Sequence, residues 1–387
     1  MARLSDGDAL RMERALFEAT RASWLFTAPN PRVGAIAFQG GHRVGTGRHE
    51  RYGGPHAEEM ALREAGAWDE QRQTPRPGVV DEMLVSLEPC SARGPGKRRP
   101  PCTELLLAAQ LRRIVVAAED PDPRHRGAGL RALAQAGVEV VLLEGLAARC
   151  AAHNGAFLDA LAQPERPWIL LKWAASFDGK TAGDSGASRW ISGPLARDEG
   201  HALRACSDAL LVGAGTLRRD DPELSARPGG ERAQHQPLRV LLDPEGAAPP
   251  DARVFQAPGP RLWLLAQGAE PAGPLEQHLE ADSDRALYLP RDAEGRLDLA
   301  AALAALRRDF GVRRLLVEGG ARLQGSLLAL GAADAVVRYE APLLLGGSHG
   351  ALLGPGFAEP AQAPRLADEE RAELGPDLRR AFRIVRR

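Results

Sequence analysis

Three short peptides constrain this chain more than anything else in it: His56-Ala57-Glu58, Pro89-Cys90 and Pro100-Pro101-Cys102. Eleven residues separate Cys90 from Cys102, among them Arg93, Lys97, Arg98 and Arg99. The stretch reads as a disulfide-closed loop, as a metal site with an unusual spacer, or as a basic surface loop with two incidental thiols. Four cysteines in 387 residues are too few for a disulfide scaffold and make a reducing cytoplasm the expected compartment. The segment HAEEMALREAG reads as a helix, with Ala57, Met60, Ala61 and Ala65 at helical spacing and Gly66 as terminator. His56 and Glu58 then occupy its exposed first turn. Pro100 and Pro101 suit a second helix start, with Cys102 beside it, and Cys90 lies just after the strand-like MLVSLE. One histidine and two cysteines at element termini, near positive helix ends that favour thiolates, make a three-ligand zinc site. Three protein ligands leave a fourth position for water, the catalytic arrangement, and Glu58 is placed to shuttle protons without binding the metal. A purely structural zinc site would leave Glu58 idle and need a fourth protein ligand that the sequence does not identify.

The first 150 residues alternate strand-like runs (33–38, 82–88, 112–119, 138–144) with helical patterns (56–66, 103–110, 127–136), which predicts a layered α/β sheet covered by helices. The N-terminal segment reads as an amphipathic helix capped at Ser5 or Asp6, with Leu10, Ala15 and Leu16 facing inward. After AQPERP (162–167) a second series of strands follows at 168–176, 208–215, 238–243, 261–267, 313–320 and 335–344. Segments 220–235 and 245–260 read as loops, and AFRIV as a final strand. The expected organisation is a first domain over 1–150, a linker over 151–167 and a second domain over 168–387. Hydrophobic residues at 44%, charged residues at 26% and a net charge of -1 fit a soluble protein with no global bias toward nucleic acid or an anionic membrane. No apolar run approaches the roughly 20 residues of a membrane span.

His-x-Glu followed by Pro-Cys and a second Cys resembles the zinc-dependent nucleobase deaminases, although their signature has Cys-x-x-Cys and a far shorter spacer. With TAPNPRVGA (27–35), GRHERYGGPHAEEMAL (47–62), SLEPC (86–90), PPC (100–102) and EDPDPRHRGAGLRAL (119–133), the first half resembles the deaminase domain of the bifunctional riboflavin-biosynthesis deaminase/reductases. The resemblance implies a cytidine-deaminase-like α/β/α domain, and it assigns Asn30 and His49 to the pyrimidine substrate. An asparagine pairs with a pyrimidine edge through its donor and acceptor. This chain departs from the family in two ways: the spacer between the cysteines is longer, and Ala92 stands where the family has a histidine. Arg93, Lys97, Arg98 and Arg99 read either as substitute ligands for a substrate phosphate or as a solvated basic loop.

The second half resembles the same family's reductase domain, through LLKWAASFDGKTA (170–182), GASRWIS (186–192), LRACSDALLVGAGTLRRDDPELSAR (203–227), LLVEGGARLQGSLL (315–328) and APLLLGG (341–347). The implied fold is a dihydrofolate-reductase-like α/β domain and the implied cofactor is NADPH. VGAGT (212–216) and VEGGARL (317–323) each put glycines directly after a strand, where backbone N–H groups approach a pyrophosphate. The resemblance places Ala174, Trp190, Thr216, Asp220 and the segment from Gly320 around the cofactor, and Ser188, Arg204, Leu224, Arg227 and Glu318 around the substrate. Arg204 and Arg227 are the natural phosphate ligands. Cys150 and Cys206 are expected to be buried thiols.

The implied activity is in two steps. Hydrolytic deamination of 2,5-diamino-6-(5-phosphoribosylamino)pyrimidin-4-one at zinc comes first; reduction of the ribosyl group to ribityl by NADPH follows. The expected partners are small phosphoribosyl-pyrimidines and further copies of the chain, with no nucleic acid and no membrane. Alternatives are a diverged paralogue acting on a related aminopyrimidine, and an active reductase joined to a non-catalytic zinc domain. An RNA-base deaminase is disfavoured by the near-neutral charge and the second half.

Overall fold

A computed structural model describes residues 6–93, 99–143, 145–249, 251–271, 273–280 and 284–385. The chain falls into two compact units that meet in sequence at Ala162 and Gln163. The first contains α1 (Asp6–Arg21), α2 (Trp24–Thr27), β1 (Gly34–Gln39), β2 (His42–Arg48), α3 (Ala57–Glu64), β3 (Trp68–Asp69), β4 (Thr74–Pro75) and β5 (Glu82–Val85). It continues through α4 (Cys102–Ala108), β6 (Arg113–Val116), α5 (Ala128–Gln135), β7 (Glu139–Leu142), α6 (Ala147–Ala152) and α7 (Gly155–Leu161). Its sheet runs β2-β1-β5-β6-β7, with β1 antiparallel to both neighbours and β5, β6 and β7 parallel.

Period-two alternation sorts the strand side chains onto two covered faces. Ala35, Ala37, Met83, Val85, Ile114 and Val116 pack with α3, α4 and α5. Ile36, Phe38, Leu84, Val115 and Val141 pack with Met12, Ala15 and Leu16 of α1 and with Cys150 of α6. The result is a three-layer α/β/α unit. Leu10 was expected to face inward but is 76% exposed. The buried stripe of α1 is set by Asp8, Met12, Ala15, Leu16 and Ala19, spaced three and four apart, and Leu10 falls off that stripe. Residues 151–161 were read as linker, yet most of them are helical in α6 and α7. Asn154, between those helices, accepts from the Arg32 backbone N–H at 2.7 Å; the prolines and charges that suggested a linker begin only after Ala162.

The second unit comprises β8 (Trp168–Ser176), α8 (Pro194–Ala205), β9 (Ala209–Gly213), α9 (Ala214–Asp220), β10 (Leu238–Leu242), α10 (Arg253–Gln256), β11 (Arg261–Ala266) and α11 (Pro274–Glu280). Then come β12 (Arg285–Leu289), α12 (Leu299–Arg308), β13 (Arg314–Val317), α13 (Ala321–Ala329), β14 (Ala335–Ala341), β15 (Arg365–Leu374) and β16 (Asp377–Val385). The sheet order is β12-β11-β10-β9-β13-β8-β14-β16-β15. It is parallel from β12 to β14, and β16 and β15 add an antiparallel edge. Strands buried on both faces, such as β13 with Arg314–Val317 fully buried, read as continuous apolar runs. The edge strand β15, RLADEERAEL, is largely exposed and charged, which protects an edge from further pairing and hides it from a hydrophobicity reading. Among the described residues, no helix is long and apolar enough to cross a membrane.

Candidate active sites

In the first unit the strand ends and helix starts bring three ligand atoms together. His56 is the N-cap of α3 and Cys102 is the first residue of α4. Gly47 of β2 lets α3 come close: a Cβ there would stand 2.0 Å from the Ala57 carbonyl oxygen. His56 Nδ1 lies 3.2 Å from Cys102 Sγ and 3.7 Å from Cys90 Sγ, and the three ligand atoms all fall within 4.8 Å of one another. A tetrahedral zinc with bonds of about 2.1 Å to nitrogen and 2.3 Å to sulfur spaces its ligands roughly 3.5–3.8 Å apart, so the triad fits that ion. Cys90 and Cys102 are held to each other by backbone. The Cys102 N–H points at Cys90 Sγ at 3.4 Å, and the Thr103 N–H donates to the Cys90 carbonyl at 3.2 Å. All four cysteines are outside disulfides, and Cys150 and Cys206 are buried.

Glu58 was expected in an exposed turn, but it is 3% exposed. Burial pushes its carboxyl above the ordinary value, and it meets the Cys102 thiol. A hydrogen bond with Cys90, then burial, push the Cys102 thiol well up in turn. Metal binding at such a site releases the protons its ligands would otherwise hold. Both ring nitrogens of His49 have partners. Its Nδ1 lies 2.9 Å from the Pro55 carbonyl and its Nε2 lies 3.2 Å from Asn30 Nδ2. A carbonyl only accepts, so Nδ1 carries the proton and Nε2 accepts from the Asn30 amide. Burial, with His56 adding to it, lowers the His49 pKa to about 3, which keeps the ring neutral. Both ring nitrogens are therefore engaged within the protein, and His49 holds the Asn30 amide.

The basic loop divides. Arg93 Nε donates to Glu104 at 2.8 Å, and Arg99 Nε donates to the buried Glu59 at 3.1 Å. Lys97 and Arg98 lie outside the described residues. Arg93 and Arg99 are thus committed to carboxylates, which weakens their reading as phosphate ligands.

In the second unit Ala174, Ser188, Trp190, Arg204, Thr216, Asp220, Leu224, Arg227, Glu318 and Gly320, which the resemblance pointed to, all line one open cleft. Gly213 is the N-cap of α9 and Gly320 the N-cap of α13. Both have negative φ, so what glycine supplies is space: a Cβ on Gly320 would lie 3.6 Å from Thr216 Oγ1. Two helix starts without a Cβ, facing one cleft, suit a dinucleotide's phosphates. Ser188 Oγ donates to Asp220 at 3.1 Å. Trp190 is 70% exposed, with the Arg197 guanidinium 4.4 Å above its ring, so it belongs to the cleft wall and not to the core.

Arg204 and Glu318 form a buried pair within the cleft. Arg204 Nη2 and Nε donate to Glu318 at 2.6 and 3.1 Å, and Nη1 donates to the Ser225 carbonyl at 3.0 Å. Burial alone would raise the Glu318 carboxyl, but Arg204 and then Lys172 hold it down at about 2. Arg227 meets Glu223 and Ser225 and keeps about a third of its side chain exposed. Leu224, buried, has φ +59, a left-handed backbone that a leucine adopts only under constraint. Lys172 and His201 also line the cleft and escaped the sequence reading. The signal for Lys172 was present: one lysine inside the otherwise apolar strand WILLKWAAS.

These two sites, a zinc triad with a buried carboxylate and a nucleotide cradle beside an arginine–glutamate pair, define a class of protein: a deaminase and a reductase in one chain. Family models agree. Residues 6–118 match the cytidine and deoxycytidylate deaminase zinc-binding region, and residues 167–379 match the RibD C-terminal domain. The riboflavin biosynthesis protein RibD of Escherichia coli K12 is 36% identical over 383 residues, covering 96% of this chain and 98% of its own. The Acinetobacter baumannii RibD structure (form 1) superposes with TM-score 0.69 at 33% identity, covering 98% of this chain and 99% of the other. A Thermotoga maritima diaminohydroxyphosphoribosylaminopyrimidine deaminase/5-amino-6-(5-phosphoribosylamino)uracil reductase superposes with TM-score 0.65 at 26% identity and the same coverage. The chain belongs to the RibD family and is a bifunctional deaminase and reductase of riboflavin biosynthesis, using zinc in its first unit and NADPH in its second.

Proposed function

We propose that the first unit removes the exocyclic amine of 2,5-diamino-6-(5-phosphoribosylamino)pyrimidin-4-one as ammonia, and that the second reduces the ribosyl group of the product to ribityl. The observation that carries the first step is the buried Glu58 carboxyl against Cys102, beside the ligand triad. Zinc held by His56, Cys90 and Cys102 supplies the Lewis acidity that activates water. Glu58 takes the proton that this water gives up and returns it to the departing amine, so that one water is consumed and one ammonia released. Asn30, its amide fixed by His49, turns its carbonyl oxygen toward a donor on the pyrimidine.

In the second unit NADPH supplies the hydride, and the remaining work is positioning. The Gly213 and Gly320 helix starts hold the cofactor's phosphates, with Ala174, Trp190, Thr216 and Asp220 around it. Glu318, kept ionised by Arg204, accepts from substrate hydroxyl or ring N–H groups. Ser188 and Leu224 shape the substrate side, and Arg227, the more open arginine, takes the ribose phosphate. Small phosphoribosyl-pyrimidines are the partners this reading requires. Association of copies is read from the family resemblance and is measured by sedimentation, and a reducing cytoplasm suits the four thiols.

An assay that follows ammonia release and NADPH oxidation separately tests the order. Ammonia release proceeds without NADPH, and NADPH oxidation follows only once deaminated product is present. Oxidation of NADPH on the undeaminated compound, ahead of ammonia, overturns the proposal. Ala92 motivates one second reading, a related aminopyrimidine as substrate. A higher kcat/KM on such a compound than on the riboflavin precursor decides for it.

A further inference from the structure

We infer that Arg99 and Glu59 form a latch that aligns the two halves of the zinc site, and that Arg99 is a positioning residue rather than a ligand for the substrate phosphate. The inference rests on the zinc reading of the triad.

The site is assembled from two pieces. His56 and Glu58 belong to the start of α3, whereas Cys90 and Cys102 are bonded to one another through the backbone of residues 90, 102 and 103. That bonding fixes sulfur against sulfur and does not reach the histidine. Glu59 does reach across. It follows Glu58 in the first turn of α3, its side chain is 1% exposed, and Arg99 lies three residues before Cys102. Arg99 Nε donates to Glu59 Oε2 at 3.1 Å, and its Nη2 meets Oε1. The fork-to-fork geometry fixes angle as well as distance. It stands where the lengthened spacer returns to the site, just before Pro100 and Pro101.

Glu59 is also braced from its own helix. Arg63 donates to Glu59 Oε1 through Nε at 3.0 Å and Nη2 at 2.9 Å. Arg63 lies 4.4 Å above the Trp68 ring and also meets Glu70 and Gln73. Two guanidinium groups therefore hold a carboxylate that burial would otherwise penalise. This arrangement makes the latch testable without collapse, because Arg63 neutralises Glu59 when Arg99 is removed, and Glu70 and Gln73 occupy Arg63 when Glu59 is removed. Outer partners that orient metal ligands typically govern metal retention by about ten- to a hundredfold.

The test uses the full-length zinc enzyme and four variants: Arg99→Ala, Arg99→Lys, Glu59→Gln and the Arg99→Ala/Glu59→Gln double. Zinc loss to a chromogenic chelator, deaminase kcat and KM, and NADPH-dependent reduction of deaminated substrate are measured on each. The latch predicts that Arg99→Ala and Glu59→Gln both release zinc about tenfold faster or more. It also predicts a lower kcat with KM within about twofold, an unchanged reductase rate and a double variant no worse than either single, the signature of one shared interaction. Arg99→Lys recovers part of the loss. A raised KM in Arg99→Ala with zinc release and kcat unchanged assigns Arg99 to substrate and overturns the latch, as does a Glu59→Gln variant indistinguishable from the parent. Should the parent enzyme hold no zinc at all, the zinc reading itself fails, an outcome distinct from every variant result.

Discussion

The two sites of this chain solve the problem of assembly in opposite ways. The deaminase site concentrates its chemistry in side chains: one imidazole and two thiols within 4.8 Å of one another, with the buried Glu58 carboxyl against the Cys102 thiol. The reductase cleft is open and draws on residues from Ala174 to Gly320. The proposed cofactor cradle lacks side chains at Gly213 and Gly320, and the buried Arg204–Glu318 pair is made within the protein. Where protein residues perform proton transfer, a single substitution costs orders of magnitude in rate. Where a cofactor carries the chemistry and the protein only positions, function is spread and substitutions act on binding.

That contrast is broken or sharpened by graded substitutions. The largest effect belongs to Glu58→Gln, which keeps zinc and lowers deaminase kcat by about 10²- to 10⁴-fold while leaving reduction untouched; ammonia release with metal analysis checks both. Gly320→Val fills the cradle opposite Thr216 and lowers reductase kcat/KM for NADPH on the order of 10²-fold, measured by cofactor titration, with deamination unchanged. His49→Leu frees the Asn30 amide and removes one hydrogen bond to it. The expected loss is about tenfold in deaminase kcat/KM, with zinc content preserved. Equal losses in both activities from any of these three would erase the distinction between the sites.

The smallest effect is on stability against acid. The Glu318 carboxyl is held at about 2 in the folded chain, whereas an unpaired glutamate titrates near 4.3. Its contribution is complete above the unfolded value and is lost as pH falls toward the folded one. Glu318→Gln is therefore less stable than the parent at neutral pH, where Arg204 is left without its partner, and the gap narrows between about pH 4.5 and pH 2. Urea unfolding of the two proteins across that range measures it.

The same contrast governs what could be read from the sequence. His56, Glu58, Cys90 and Cys102 were legible because zinc chemistry demands those residue types at helix and strand ends. The buried strands were legible as apolar runs. Two edge strands were not: β2 carries glycines and charges and β15 is dominated by charged residues, since neither has two faces to bury. Partnerships formed across the fold were equally invisible. Nothing local announces that His49 spends both ring nitrogens on Pro55 and Asn30, or that Arg99 pairs with Glu59, because these contacts depend on strand and helix packing over long sequence separations. Leu10 shows the reverse failure, an apolar residue whose helical angle, not its hydrophobicity, leaves it exposed.

The central claim, two separately working sites on one chain, is tested most directly by removing zinc with a chelator and assaying both reactions on the same preparation. The metal-free enzyme is predicted to release no ammonia from the diaminopyrimidine, yet to oxidise NADPH at the holoenzyme's rate when given the deaminated compound. Loss of both activities in parallel, with the second unit still folded, would contradict the account.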